Sequence, residues 1–212
     1  MSEFAELDPK HYVTGNNEVF LVDHVAQKAT KAADGPVYTP GPLAGLRDTV
    51  QKVMEEYASA QYSDGSAIAA VYEKAGELVV TLSGSKADLR NFWSGKWRSE
   101  WHIDPKSKTA KGKVRIVVHF FELGNVQLDQ NKDIEKMAIP TKGADDKALA
   151  DGVREFITTQ ENAIQDTLEE MYQNMSVETF KDMRRILPVA RQKMDWTGAQ
   201  MRLAGTMGKG KQ

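Results

Sequence analysis

NFWSGKWRSEW, Asn91 to Trp101, holds three of the chain's four tryptophans within nine residues and interleaves them with Lys96, Arg98 and Glu100. Aromatics alternating with charges suit three arrangements: a stacking platform for nucleic acid, a belt at a membrane interface, or a strand with one wet face. Side chains alternate across a strand with period two, so Trp97, Ser99 and Trp101 share one face and Lys96, Arg98, Glu100 and His102 the other. The simplest use of the two rings on one face is to supply apolar surface beneath a helix. Stacking on bases would need the rings exposed beside a basic groove, and the nearby Asp88, Glu100 and Asp104 oppose that.

The surrounding segments build a sheet around this strand. Ala67–Tyr72, Glu77–Ser83, Lys96–Ile103, Lys113–Glu122 and Asn125–Gln130 are β-rich. They are separated by turn chemistry at Lys74-Ala75-Gly76, at Gly84-Ser85, from Pro105 to Gly112 and at Leu123-Gly124-Asn125. Short connections without helices predict a five-stranded antiparallel meander. Two helices flank it. Leu46, Val50, Val53, Met54 and Tyr57 recur at helical spacing between Leu43 and about Tyr62, ahead of Gly65. From Asp145 to about Asn174, Leu149, Val153, Phe156, Ile157, Ile164, Leu168, Met171 and Tyr172 predict a helix about 45 Å long. That is longer than a small sheet can cover, so a second subunit is expected to extend the surface beneath it. The fold class is therefore α+β, completed by a partner.

The two ends read differently. Residues 1–44 are irregular, with Pro9, Gly15-Asn16-Asn17, Gly35-Pro36 and Pro40-Gly41-Pro42, and predict loops around one or two short elements with a helical turn at 24–32. Residues 45–175 form the sheet-and-helix body, and 176–212 an arm. Ser176 is a fitting N-cap for a last helix through Phe180, Met183 and Leu187, interrupted at Pro188. The arm carries eight Lys and Arg against three Asp and Glu, whereas the whole chain of 212 residues has a formal charge of −2. A basic arm on an acidic body suits docking on an acidic protein surface or on anionic lipid. The overall charge excludes a generic nucleic-acid binder. No cysteine is present, which rules out disulfides and fits a reducing compartment. No apolar run of membrane-spanning length and no signal segment is read, so a cytoplasmic protein is expected.

Catalytic patterns are poor. Ser83-Gly-Ser-Lys86 fits S-x-x-K but sits at an expected turn without its companion motifs. Gly208-Lys-Gly-Lys211 follows no strand and has the wrong spacing for a phosphate loop. His102, Asp104 and His119 lack tight ligand spacing. Asn174-Met-Ser176 matches a glycosylation sequon that a cytoplasmic protein would not use. No enzyme, metal or cofactor is expected.

Three blocks, NFWSGKWRSEW, VHFFELGNVQL (Val118 to Leu128) and FKDMRRILPVARQKMDW (Phe180 to Trp196), with a weaker match at Met54 to Lys74, strongly resemble the α subunit of the F-actin capping protein over roughly residues 45–200. The resemblance implies a heterodimer with a β-type subunit whose sheets join into one, and a C-terminal segment that binds the barbed end of the actin filament and blocks subunit exchange. It implies that Lys181 and Arg185 bind actin and mediate inhibition by phosphoinositides, with Arg184, Arg191, Lys193 and Trp196 in the same block, and Met201 and Leu203 as apolar contacts beyond it. Clustered cations would hasten encounter with acidic actin, and apolar contacts would slow dissociation.

Two departures accompany the resemblance. The first 40 residues do not read as the family's helical stalk. Gly198, Gly205, Gly208 and Gly210 disfavour the amphipathic helix usual in the tail, at about 1 kcal/mol each. These departures leave one further reading, a permanent structural subunit of a larger cytoskeletal or actin-related-filament assembly; the sequence also leaves open a homodimer, since the pseudo-twofold that the resemblance implies between the two subunits could be a true one.

Overall fold

The computed structural model describes residues 2–33, 35–62, 67–121 and 126–174. The chain divides into two compact units, Met1–Glu161 and Asn162–Gln212.

Five long strands form the main sheet: β5 (Ala67–Lys74), β6 (Glu77–Asp88), β7 (Trp93–Asp104), β8 (Thr109–Phe120) and β9 (Val126–Ala138). They pair antiparallel in sequence order, which is the expected meander. Along β8 burial alternates strictly: Ala110, Gly112, Val114 and Ile116 are buried, while Lys111, Lys113 and Arg115 are exposed. Ser99 and Trp101 share the covered face with them. The tryptophan stretch is thus a central strand, and Trp101 is fully buried. Its ring meets Phe156 edge-on, with centroids 5.8 Å apart at 85°. The strand directly opposite makes room for it with a glycine, Gly112, where a Cβ would be driven into the indole.

Helix α2, Asp146–Asn174, follows the sheet. Up to Glu161 its apolar stripe of Leu149, Ala150, Val153, Phe156 and Ile157 is buried. Both helices match expectation within two residues, since α1 spans Ala44–Gln61. That helix packs on β5, burying Leu46, Val50, Met54 and Tyr57.

The N-terminal region differs from its reading. Where loops around one or two short elements were expected, there are four short strands, β1 (Glu6–Asp8), β2 (His11–Val13), β3 (Val19–Asp23) and β4 (Lys28–Lys31), paired antiparallel in order. The expected helical turn at 24–32 is a β-hairpin. Asp23 Oδ1 accepts hydrogen bonds from the N–H groups of Val25 and Ala26, both at 2.9 Å, and Gln27 adopts the left-handed conformation at φ 53°, which closes a turn and returns the chain as a strand. Ala5 and Val13, with Phe4, Tyr12 and Tyr38, pack on Ala70 and Tyr72.

Three local expectations also shift. The turn after Pro105 ends at Lys108 and β8 begins at Thr109, because Gly112 serves the packing of Trp101 and not a turn. Strand β6 runs on to Asp88, so Ser83 and Lys86 lie in a strand and, three residues apart, point to opposite faces. Strand β9 continues beyond Gln130 through a polar run that a strand inside the sheet could not tolerate; at its edge, most of that run is exposed.

Candidate interaction surfaces and the family they belong to

The two edges of the main sheet are treated differently. On β5 the backbone is sealed by side chains of α1. Gln51 Nε2 donates to Ala69 O at 3.1 Å, and Gln51 Oε1 accepts from Val71 N at 2.8 Å. Arg47 Nε donates to Val71 O at 2.9 Å, and its Nη2 donates to Gly15 O. Both side chains are buried, so they act as a substitute strand that satisfies the edge. The opposite edge, β9, pairs with β8 alone among the described residues, so along its thirteen residues the backbone groups of alternate residues face outward from the sheet. A long strand with one unmatched side is a template for pairing with another chain.

Behind the covered face lies a buried acid. Glu161 of α2 is inaccessible to solvent. It accepts hydrogen bonds from Ser99 Oγ at 2.7 Å and from Tyr57 Oη at 2.8 Å, linking α2 to β7 and to α1. Burial raises its pKa above the ordinary value of 4.5, opposed by Ser99 and Tyr57 and then by Trp97 and Trp101. The indole N–H groups of Trp97 and Trp101 are buried and make no hydrogen bond of good geometry, so their pull on the acid is weaker than that of Ser99 and Tyr57. Tyr57 is pushed up in turn, first by burial and then by the charge of Glu161. This is a polar staple inside the core.

The sequence gives partial notice of these buried polar groups. Glu161 lies four residues after Ile157 and three before Ile164, on the apolar stripe; Arg47 and Gln51 flank Val50 on α1. A polar residue in register with a core stripe is the signal.

Other expected chemistry is not assembled. Nε2 of His102 pairs with Glu100 Oε1 at 2.8 Å and its Nδ1 lies 3.8 Å from Glu77. Asp104 accepts from Lys106 N and Ser107 N and caps its own turn. His119 packs on Phe121 with centroids 5.2 Å apart. Among the described residues no three His, Cys, Asp or Glu side chains converge on a metal position, and no helix is long and apolar enough to cross a membrane. Lys181, Arg184, Arg185, Arg191, Lys193, Trp196, Met201 and Leu203, the residues expected to contact actin, lie outside the described residues.

Residues 1–206 match the family described as F-actin capping protein alpha subunit. The chain belongs to that family. An F-actin-capping protein subunit alpha from Caenorhabditis elegans is 33% identical over 196 residues, covering 90% of this chain and 68% of that protein. One from Arabidopsis thaliana is 33% identical over 211 residues, covering 92% and 68%. The chain therefore spans about two-thirds of the length of these relatives. Among solved structures, the homodimeric actin capping protein alpha subunit from Plasmodium berghei superposes with a TM-score of 0.66 at 20% identity, over 89% of this chain and 73% of that one. At that identity the likeness concerns the fold.

Proposed function

We infer that the chain is an α-type subunit of a dimeric F-actin capping protein that binds filament barbed ends and blocks addition and loss of subunits. The observation that carries this reading is the family match, which runs from residue 1 to residue 206 and so includes the basic block Phe180 to Trp196. Lys181, Arg184, Arg185, Arg191 and Lys193 make the electrostatic approach to actin, with Trp196, Met201 and Leu203 as apolar contacts that slow release. Anionic phosphoinositides compete for the same cations and inhibit capping. The protein acts in the cytoplasm on the cytoskeleton, by binding and without enzymatic chemistry or a cofactor.

The partner adds its strands along β9. With β5 sealed by Gln51 and Arg47, β9 is the edge at which a second sheet extends this one. We assign the partner as a β-type subunit. The homodimeric state named for the Plasmodium berghei protein supports testing a second copy of this chain in the same place.

The test is charge reversal in the arm. Lys181→Glu with Arg185→Glu should weaken capping severely while the dimer elutes unchanged on gel filtration. Capping affinity equal to that of the unaltered protein would contradict the reading.

A further inference from the structure

The face of the main sheet turned away from α2 carries a basic patch on its two central strands. Lys96 and Arg98 on β7, and Lys113 and Arg115 on β8, are all exposed. Their register concentrates positive charge: Arg98 stands directly opposite Arg115, and Lys96 and Lys113 flank that pair. Like charges at opposed positions disfavour the sheet, so nothing in folding calls for this arrangement. Arg115 is held by Asp129 through two contacts, Nε to Oδ1 at 3.1 Å and Nη2 to Oδ2 at 2.7 Å. Glu100 is engaged by His102 at 2.8 Å. Among the described residues Lys96, Arg98 and Lys113 make no ion pair or hydrogen bond, although Lys113 has Glu100 on β7 and Asp133 on β9 as its register partners.

The borders of the patch define its width. On the β6 side the exposed hydroxyls Ser83 and Ser85 stand opposite Arg98 and Lys96. On the β9 side Asp129 and Asp133 form an acidic margin. What lies between is two strands wide, about 5 Å between strands, with cations about 7 Å apart along each strand. An extended polypeptide presents alternate side chains at the same spacing of about 7 Å.

We propose that this face is a docking surface for an extended acidic segment of a partner protein, with carboxylates at alternate positions seated on Lys96, Arg98 and Lys113 and with Ser83 and Ser85 donating hydrogen bonds along one side. The acidic margin on β9 repels a broad polyanion such as a nucleic-acid duplex. On this face Val117, opposite Lys96, is half-buried, and the exposed apolar residue beside the patch, Ile68 opposite Ser83 on β5, is a single side chain and too little surface to anchor the face in a bilayer. The residues of this surface are other than those of the basic arm, and the proposal does not depend on barbed-end capping.

The test uses the full 212-residue chain and two fluorescein-labelled octapeptides of equal composition, one alternating Glu and Ser, the other with its Glu residues in a block. The alternating peptide should bind more tightly than the block, and more weakly as salt rises. Arg98→Glu with Lys113→Glu should weaken it roughly tenfold. Reversing Lys52, which is exposed on α1, should leave binding unchanged. Because the reversed side chains are exposed, circular dichroism and thermal unfolding should match the unaltered chain. Equal binding of the alternating peptide by the double variant, equal affinity for the two peptides, or binding of phosphatidylserine vesicles with no peptide binding would each overturn the proposal.

Discussion

Ser99 Oγ on β7 donates a 2.7 Å hydrogen bond to Glu161 Oε1 on α2, joining the central strand of the sheet to the long helix through a fully buried carboxylate. The pKa of Glu161 is raised by burial above its ordinary value of 4.5. The folded state therefore holds the proton more tightly than the unfolded chain. The contribution to stability is complete below about pH 4.5 and is lost as pH rises toward the folded value. Glu161→Gln keeps the shape without the charge and removes this slope. Urea unfolding at pH 5 and pH 8 should show the stability of the variant relative to the unaltered chain increasing with pH; a constant difference would contradict the assignment.

Gly112 is required by Trp101. Adding a Cβ there forces it into an indole that has no space to move, so Gly112→Ala should cost about 1–3 kcal/mol. Thermal unfolding with a near-ultraviolet tryptophan signal measures both the loss and its place. An unchanged melting temperature would mean that Trp101 repacks freely.

Gln51 closes the β5 edge. Gln51→Ala leaves Ala69 O and Val71 N without their side-chain partners and should destabilise the chain by about 2–3 kcal/mol. Opening the edge should also add concentration-dependent association, read by light scattering. A variant that is destabilised yet stays free of association would show that Arg47 alone protects the edge.

The β5–β6 hairpin turns on two residues at positive φ, Ala75 at 53° and Gly76 at 80°, between paired Lys74 and Glu77. Alanine is strained there and asparagine is not, so Ala75→Asn should stabilise the chain by about 1 kcal/mol. Chemical unfolding that shows no gain would indicate that the turn relaxes in solution.

The main sheet and both helices were legible because each carries a clean period: two along β7 and β8, three to four along α1 and α2. Where the reading failed, a residue served something other than its usual local role. Gly112 resembles a turn residue in sequence, and its reason for being glycine is the ring across the strand. Strand β9 hides its second half in polar residues because an edge is under no pressure to be apolar. The N-terminal sheet is built from strands of three to five residues, too short to show a period. The proposed basic arm shows in the sequence as a change in charge density, and its residues lie outside the described ones. The sealed β5 edge does not show there, since it depends on Gln51 and Arg47 meeting a backbone about twenty residues further along the chain.

The most direct measurement of the central claim is the elongation of actin from filament seeds, followed with pyrenyl-labelled monomer, in the presence of the chain alone and then with a β-type subunit. Barbed-end growth should stop at protein concentrations far below that of actin, with the β-type subunit or with the chain alone if it pairs with itself. Undiminished growth in both cases, with a folded dimer verified beforehand, would contradict the account.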